Sequence, residues 1–283
     1  LGRLLRLGEK DLPLATLCGM SGVFAALFGT PLTATVFALE VISVGVLYYA
    51  GLIPCLMAAS VAYLIASLFG VSPTRFAVTL PALDVWTVFL VVLLAIGCAL
   101  VSILFVRGMH WVEHMAVRFL KNSYLRAAAG GFAIIGLTLL LGRDYNGAGM
   151  DVIAAAMQGH ARPEAFALKM LFTVLTMTTG YKGGEIVPAM FIGATAGCVL
   201  GNLFGLAPGL GAAVGLLGMF CGSLNCPISA IFLGVEMFGG ANIQYYAIAA
   251  AISFMLSANF GLYKEQKIVY SKIRAEFINR YTD

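Results

Sequence analysis

Residues 186–235 read IVPAMFIGATAGCVLGNLFGLAPGLGAAVGLLGMFCGSLNCPISAIFLGV, fifty positions without an Asp, Glu, Lys or Arg. A helix crosses a hydrocarbon core in roughly 20 apolar residues, so the run has length for two crossings. Two clean crossings are excluded by Ala207-Pro208-Gly209 and Asn225-Cys226-Pro227, which break it. Proline lacks the N–H that an α-helix needs, and glycine readily leaves helical geometry. The stretch must therefore fold as several short helices. Their ends lie within the apolar layer, which is tolerated only where protein or a lined cavity receives the freed backbone groups.

Residues 12–39, 41–74, 85–106 and 237–263 are likewise free of those charges. The chain as a whole is 61% apolar and 11% charged, with a mean hydropathy of +0.96. Soluble domains carry about a quarter charged residues, so most soluble folds are excluded, and disorder with them. The expected class is an all-α, multi-pass integral membrane protein with the lipid bilayer as its first partner. A net charge of +4 supports no nucleic-acid surface. The six cysteines lie in apolar runs without ligand-like spacing, so they read as small packing residues and neither metal nor cofactor is expected.

Punctuation divides the chain further. Residues 1–10 read as the end of an amphipathic helix already under way, as if the chain began inside a larger protein. Gly29-Thr30-Pro31 closes one apolar segment and opens a helix over 31–50 that carries Glu40; a second spans 51–69. A long helix is expected from Asp84 to about Lys121, and others over 127–141, 150–157, 163–179 and 243–260. Residues 264–283 read as a C-terminal amphipathic helix carrying Tyr270. His110 and His114 recur with Arg107, Glu113 and Arg118 at three- and four-residue steps, the pattern of a solvated helix face rather than a metal pair. The basic clusters at the start, at 107–126 and at 264–280 would face the cytoplasm.

The chain also matches itself at an offset of 196 residues. Gly22, Phe24, Pro31, Ala34 and Glu40 fall on Gly218, Phe220, Pro227, Ala230 and Glu236, and Leu32-Thr33 falls on Ile228-Ser229. Two structural repeats follow: residues 1–75 as the remainder of a first repeat, 76–263 as the second, and 264–283 as the tail. In membrane transporters such repeats are commonly inverted, with broken helices aiming their N-termini at a midplane site. The fold expected is an inverted-repeat bundle of tilted and broken transmembrane helices.

The most site-like segment is Gly180-Tyr181-Lys182-Gly183-Gly184-Glu185-Ile186-Val187-Pro188. Glycines and a proline at a helix start leave backbone N–H groups unpartnered, and the helix dipole places about half a positive charge there. Such an end can hold an anion without a full cation. A packing kink accounts for the bare motif equally well.

Four segments resemble the CLC chloride channels and proton-coupled anion antiporters: GTPLTATVFALEV (29–41), YKGGEIVPAMFIGATAG (181–197), CPISAIFLGVEM (226–237) and QKIVYSKI (266–273). The resemblance implies a homodimer with one pore in each subunit and inverted repeats within each. It implies anion binding at Gly184, Glu185, Ile186, Val187 and Pro188 through the amides of Ile186 and Val187, and donation from the Tyr270 hydroxyl. Without the resemblance, Tyr270 reads as an interfacial aromatic. The transported anion would be chloride or fluoride, with protons as a coupled species. The family's G-S-G-x-P turn and its G-K/R-E-G-P turn, which holds the gating glutamate, would fall upstream of Leu1.

Two positions depart from the family pattern. Ile186 replaces the usual aromatic, and Val41 stands where many proton-coupled members have a second glutamate. Together they suggest a fluoride/proton antiporter as the alternative to chloride transport. Glu40, Glu185 and Glu236 are intramembrane carboxylates and hence candidates for gating or proton-linked roles, as is position 41. For Glu40 and Glu236 the favoured role is satisfying donors at helix ends. Glu185 would compete with the anion as a tethered ligand, or pair with Lys182 or an arginine. An intramembrane enzyme is the remote alternative; no nucleophile has a base in reach. The expected location is the plasma membrane.

Overall fold

The computed structural model describes residues 7–9, 11–274 and 276–282. The helix end expected over 1–10 lies outside the described residues except for 7–9, where the Gly8 carbonyl receives the Asp11 and Leu12 N–H groups. Eleven α-helices follow among the described residues: α1 (Asp11–Phe28), α2 (Pro31–Glu40), α3 (Leu52–Leu68), α4 (Val85–Phe119), α5 (Ser123–Leu141), α6 (Met150–Met157), α7 (Ala165–Thr178), α8 (Ile186–Leu203), α9 (Leu210–Leu224), α10 (Pro227–Phe238) and α11 (Gln244–Leu256). Among the described residues, five segments are long and apolar enough to cross a membrane: Asp11–Phe28, Tyr49–Leu68, Val85–Phe119, Ser123–Leu141 and Ile186–Leu203. By contrast α9 and α10 have 15 and 12 residues. At 1.5 Å per residue they reach only about 18–22 Å, short of a core about 30 Å thick.

Helix α9 is the centre of the molecule, and every one of its residues is buried. It packs on α8 through glycines. A Cβ on Gly197 would strike the Gly211 carbonyl, and one on Gly215 would strike the Gly193 carbonyl. Backbone meets backbone, the close approach that small residues allow between membrane helices.

The two repeats share their breaks in detail. Gly29 (φ 69°) and Asn225 (φ 61°), 196 residues apart, both adopt the left-handed conformation. The following N-cap residues, Thr30 (φ −124°, ψ 75°) and Cys226 (φ −120°, ψ 74°), nearly coincide, and each precedes a proline at a first-turn position. Phe24 and its equivalent Phe220 meet edge to face, with ring centroids 6.5 Å apart. Equivalent residues can touch in this way only beside the symmetry axis, which therefore passes between these rings.

Two expected helices are corrected. The helix expected over 31–50 stops at Glu40, and residues 43–44 form a strand, β1 (Ser43–Val44). The β-branched residues Val41, Ile42, Val44 and Val46 are stiff at χ1, and Gly45 has φ +91°, which ends any helix there. The tail is not an amphipathic helix. It contains β2 (Lys267–Tyr270) and β3 (Phe277–Tyr281), which form a three-stranded sheet in the order β1-β2-β3. Ser43 pairs in parallel with Lys267, and Ile268 pairs antiparallel with Arg280. In β2, Ile268 is buried between exposed Lys267 and less buried Val269, and the β-branched Ile-Val pair followed by an aromatic suits an extended strand.

Candidate functional site

The turn before α8 begins at Gly180, with φ +109°. Glu185 is the N-cap of α8, and no side chain caps that end. The first intrahelical bond runs from the Ala189 N–H to the Glu185 carbonyl at 3.0 Å. Pro188 has no N–H to offer. The orphan donors of this helix end are therefore the amides of Glu185, Ile186 and Val187. Gly184, Glu185, Ile186 and Val187 line a cavity of about 990 Å³, whose opposite walls include Met20 and Phe24 of α1, Phe37 of α2 and Met109 of α4. Phe24, Phe28 and Phe37 form an aromatic group on that wall, with centroids 4.6 and 5.1 Å from Phe24.

The rim is charged. Lys182, Lys264, Glu113, Glu185 and Glu265 line the same cavity. Lys264 Nζ donates to Glu113 Oε2 at 2.5 Å, but the pair is about half exposed and so contributes little to stability. The pairing of Glu185 with Lys182 is not found: among the described residues Glu185 has no ion-pair partner, and Lys182 is exposed. The solvated-face reading of the two histidines also needs correction. His114 is exposed, whereas His110 is half-buried and lines the cavity, because the segment 262–265 folds back over that side of α4.

Tyr270 stands apart from this lining. It sits on β2, half exposed, with its ring edge to face with Phe277 at 5.7 Å. The close approach of Gly45 holds it there: a Cβ on that glycine would lie 3.1 Å from the Tyr270 Cβ.

Glu40 and Glu236 serve helix ends. Glu40 accepts the Ile228 N–H (3.0 Å), the Ser229 N–H (2.9 Å) and the Ser229 hydroxyl (2.5 Å). Glu236 accepts the Leu32 N–H (3.1 Å), the Thr33 N–H (2.8 Å) and the Thr33 hydroxyl (2.6 Å). Each glutamate thus caps the first turn of the other repeat's helix. Because the end of α2 meets the start of α10 and the reverse, the two helices are antiparallel, which makes the repeats inverted.

Val41 is buried, and its carbonyl accepts from Gln266 Nε2 at 2.7 Å. Gln266 also donates to the Leu224 carbonyl and accepts from Asn225 Nδ2, while Lys272 Nζ donates to Asn225 and to Ser257 Oγ at 2.7 Å. Position 41 therefore adjoins a polar network that closes the end of α9. Burial lowers the Lys272 ammonium to about 8. Sequence reasoning missed Gln266 and Lys272; the break at Asn225 was the available signal. It also missed Lys169, whose buried Nζ donates to the Tyr145 (3.1 Å) and Gly147 (2.5 Å) carbonyls and lies 4.9 Å from the Phe191 ring centroid. A lone lysine within an otherwise apolar helix was the mark of that site.

Known proteins share this architecture. A crystal structure of a CLC-type fluoride/proton antiporter superposes with a TM-score of 0.89 at 30% identity, covering 94% of this chain and 68% of that one. A slow cyanobacterial Cl⁻/H⁺ antiporter superposes at 0.76 with 16% identity over 90% of this chain and 64% of its own, a likeness of fold. A chloride/fluoride channel protein of Pseudomonas syringae pv. tomato (strain ATCC BAA-871 / DC3000) is 34% identical over 275 residues, which is 94% of this chain. The chain spans 61% of that relative's length. The sequence profile described as "Voltage gated chloride channel" matches residues 1–258, through both mutually capped repeats and the uncapped turn between α7 and α8. The chain belongs to the voltage-gated chloride channel family.

Proposed function

We propose that this protein transports small inorganic anions across a membrane, chloride first, by a path that passes the start of α8. One observation carries the reading: the Ile186 and Val187 amides are left without intrahelical partners at a helix end that no side chain caps and that opens on a cavity. Two amides and a helix dipole attract an anion without holding it as a full cation would. In this reading the protein is a homodimer of the plasma membrane with one path in each subunit.

Fluoride/proton antiport is the second reading, favoured by Ile186 and Val41 in place of the aromatic and the glutamate and by the likeness to a fluoride/proton antiporter at 30% identity. The full-length protein in liposomes, assayed for chloride and fluoride efflux with and without a proton gradient, tests both. Chloride efflux indifferent to the gradient supports the first reading and defeats the second. Fluoride efflux that moves protons, without chloride efflux, does the reverse. Liposomes that pass neither anion defeat the proposal.

A further inference from the structure

His110 lies on the cavity wall that also carries Ile186 and Val187. Its Nε2 is buried and has no hydrogen-bond partner among the described residues, while the Leu262 main chain lies against the ring. A buried ring nitrogen without a partner is costly, and once protonated it needs an acceptor, which an anion in the cavity would supply. Imidazole is also the side chain whose ordinary pKa, about 6.5, lets it change charge near neutrality.

The charges around it give that change a direction. On its own helix stand Arg107, in a cation–π contact with Phe260, and Glu113, paired with Lys264. Tyr263, Lys264 and Glu265 of the segment after α11, and Tyr181, Lys182 and Glu185 of the turn before α8, line the same cavity; Lys264 opposes a charge on the ring and Glu113 favours it. The cavity wall thus has two lysines and three glutamates, a net negative rim around a helix end suited to an anion. One added positive charge brings that balance to zero.

We infer that His110 is a titratable residue of the anion path, which takes up a proton in step with anion entry beside the Ile186 and Val187 amides. The inference rests on the transport reading above and adds the group that makes it pH-dependent. Protonation offsets the negative rim, and by linkage a bound anion raises the affinity of His110 for its proton.

The test uses the full-length protein in liposomes, with chloride and fluoride as probes and equal pH on both sides. Parent efflux rises by up to about tenfold as the pH falls from 7.5 to 4.5, with the rise on the acid side of the ordinary imidazole range because burial, and then the Lys264 ammonium, favour the neutral ring. His110→Gln stays at the slow, high-pH level throughout, and His110→Lys stays near the fast, low-pH level. The exposed His114→Gln keeps the parent profile. A parental slope in either His110 variant overturns the inference and leaves the transport reading intact. A parent protein that passes neither anion at any pH defeats the transport reading, and this inference with it.

Discussion

Glu40 and Glu236, 196 residues apart, bind each other's repeat in matching ways: each carboxylate accepts two consecutive backbone N–H groups and one hydroxyl at the start of the other's helix. The caps join the two repeats across their pseudo-two-fold axis. They also satisfy α2 and α10 at the end where a broken helix has most need of acceptors.

Removing the more buried cap should do more damage. Glu40 is 6% exposed, so Glu40→Ala leaves two amides and the Ser229 hydroxyl unsatisfied in a dry site, a loss of roughly 3 kcal/mol. Glu236→Ala, at a partly exposed position, should cost less, and Glu40→Gln should fall between parent and Glu40→Ala. Thermal denaturation of the detergent-purified protein checks the order. Equal midpoints for Glu40→Ala and parent would contradict the cap assignment.

Two glycine substitutions should have opposite signs. Gly197→Ala places a methyl against the Gly211 carbonyl and should force α8 and α9 apart, lowering the yield of monodisperse protein severely. Gly136→Ala, in the middle of α5 with open space around it, should stabilise by about 0.5–1 kcal/mol. Size-exclusion profiles and melting midpoints of the two variants make the comparison.

Glu185 and Ile186 should act on flux in different ways. Glu185, which has no ion-pair partner among the described residues, stands at an uncapped helix end, where a carboxylate competes with the anion for the same dipole. Glu185→Gln should therefore raise efflux at neutral pH, the opposite sign to His110→Gln. Flux equal to the parent at every pH would remove the competitor role. Ile186→Phe, which introduces the aromatic usual at this position, should change the ratio of chloride to fluoride efflux while leaving protein yield unchanged.

Asp84 caps α4 and has its own pH dependence. Its side chain accepts the Thr87 N–H and hydroxyl, both at 3.0 Å, and these bonds hold its carboxyl below the usual carboxylate range. A depressed folded-state pKa means that the stabilisation is present above the unfolded value, about 3.9, and fades as pH falls through the folded value. Amide exchange at residues 86–88 should be slow from neutral pH down to the acid range and quicken below it. Asp84→Ala should exchange quickly at all pH values, and Asp84→Asn should keep most of the protection.

Much of this architecture could be read from order and spacing. Membrane residence follows from charge-free runs, since no buried charge can be tolerated there unpaired. The breaks at 207–209 and 225–227 follow from proline and glycine chemistry, and the repeat follows from identities at one constant offset. The long helix from Asp84 and the short one over 150–157 were legible for the same reason: local periodicity and caps are nearest-neighbour properties. Where distant segments compete, the reading fails. Residues 264–283 have an amphipathic pattern compatible with a helix, yet they form strands because Ser43–Val44 offers a partner more than two hundred residues away.

The same division holds at the site. The composition of 181–188 was enough to mark a helix end rich in free amides, because which N–H groups lack partners is settled within one turn of chain. That Glu40 and Glu236 are used as caps, that His110 rather than His114 reaches the cavity, and that Tyr270 stands away from it were decided only by tertiary structure. Each depends on which surfaces meet across the pseudo-two-fold axis or across the fold of residues 262–270, contacts between groups far apart in the chain that local pattern does not encode.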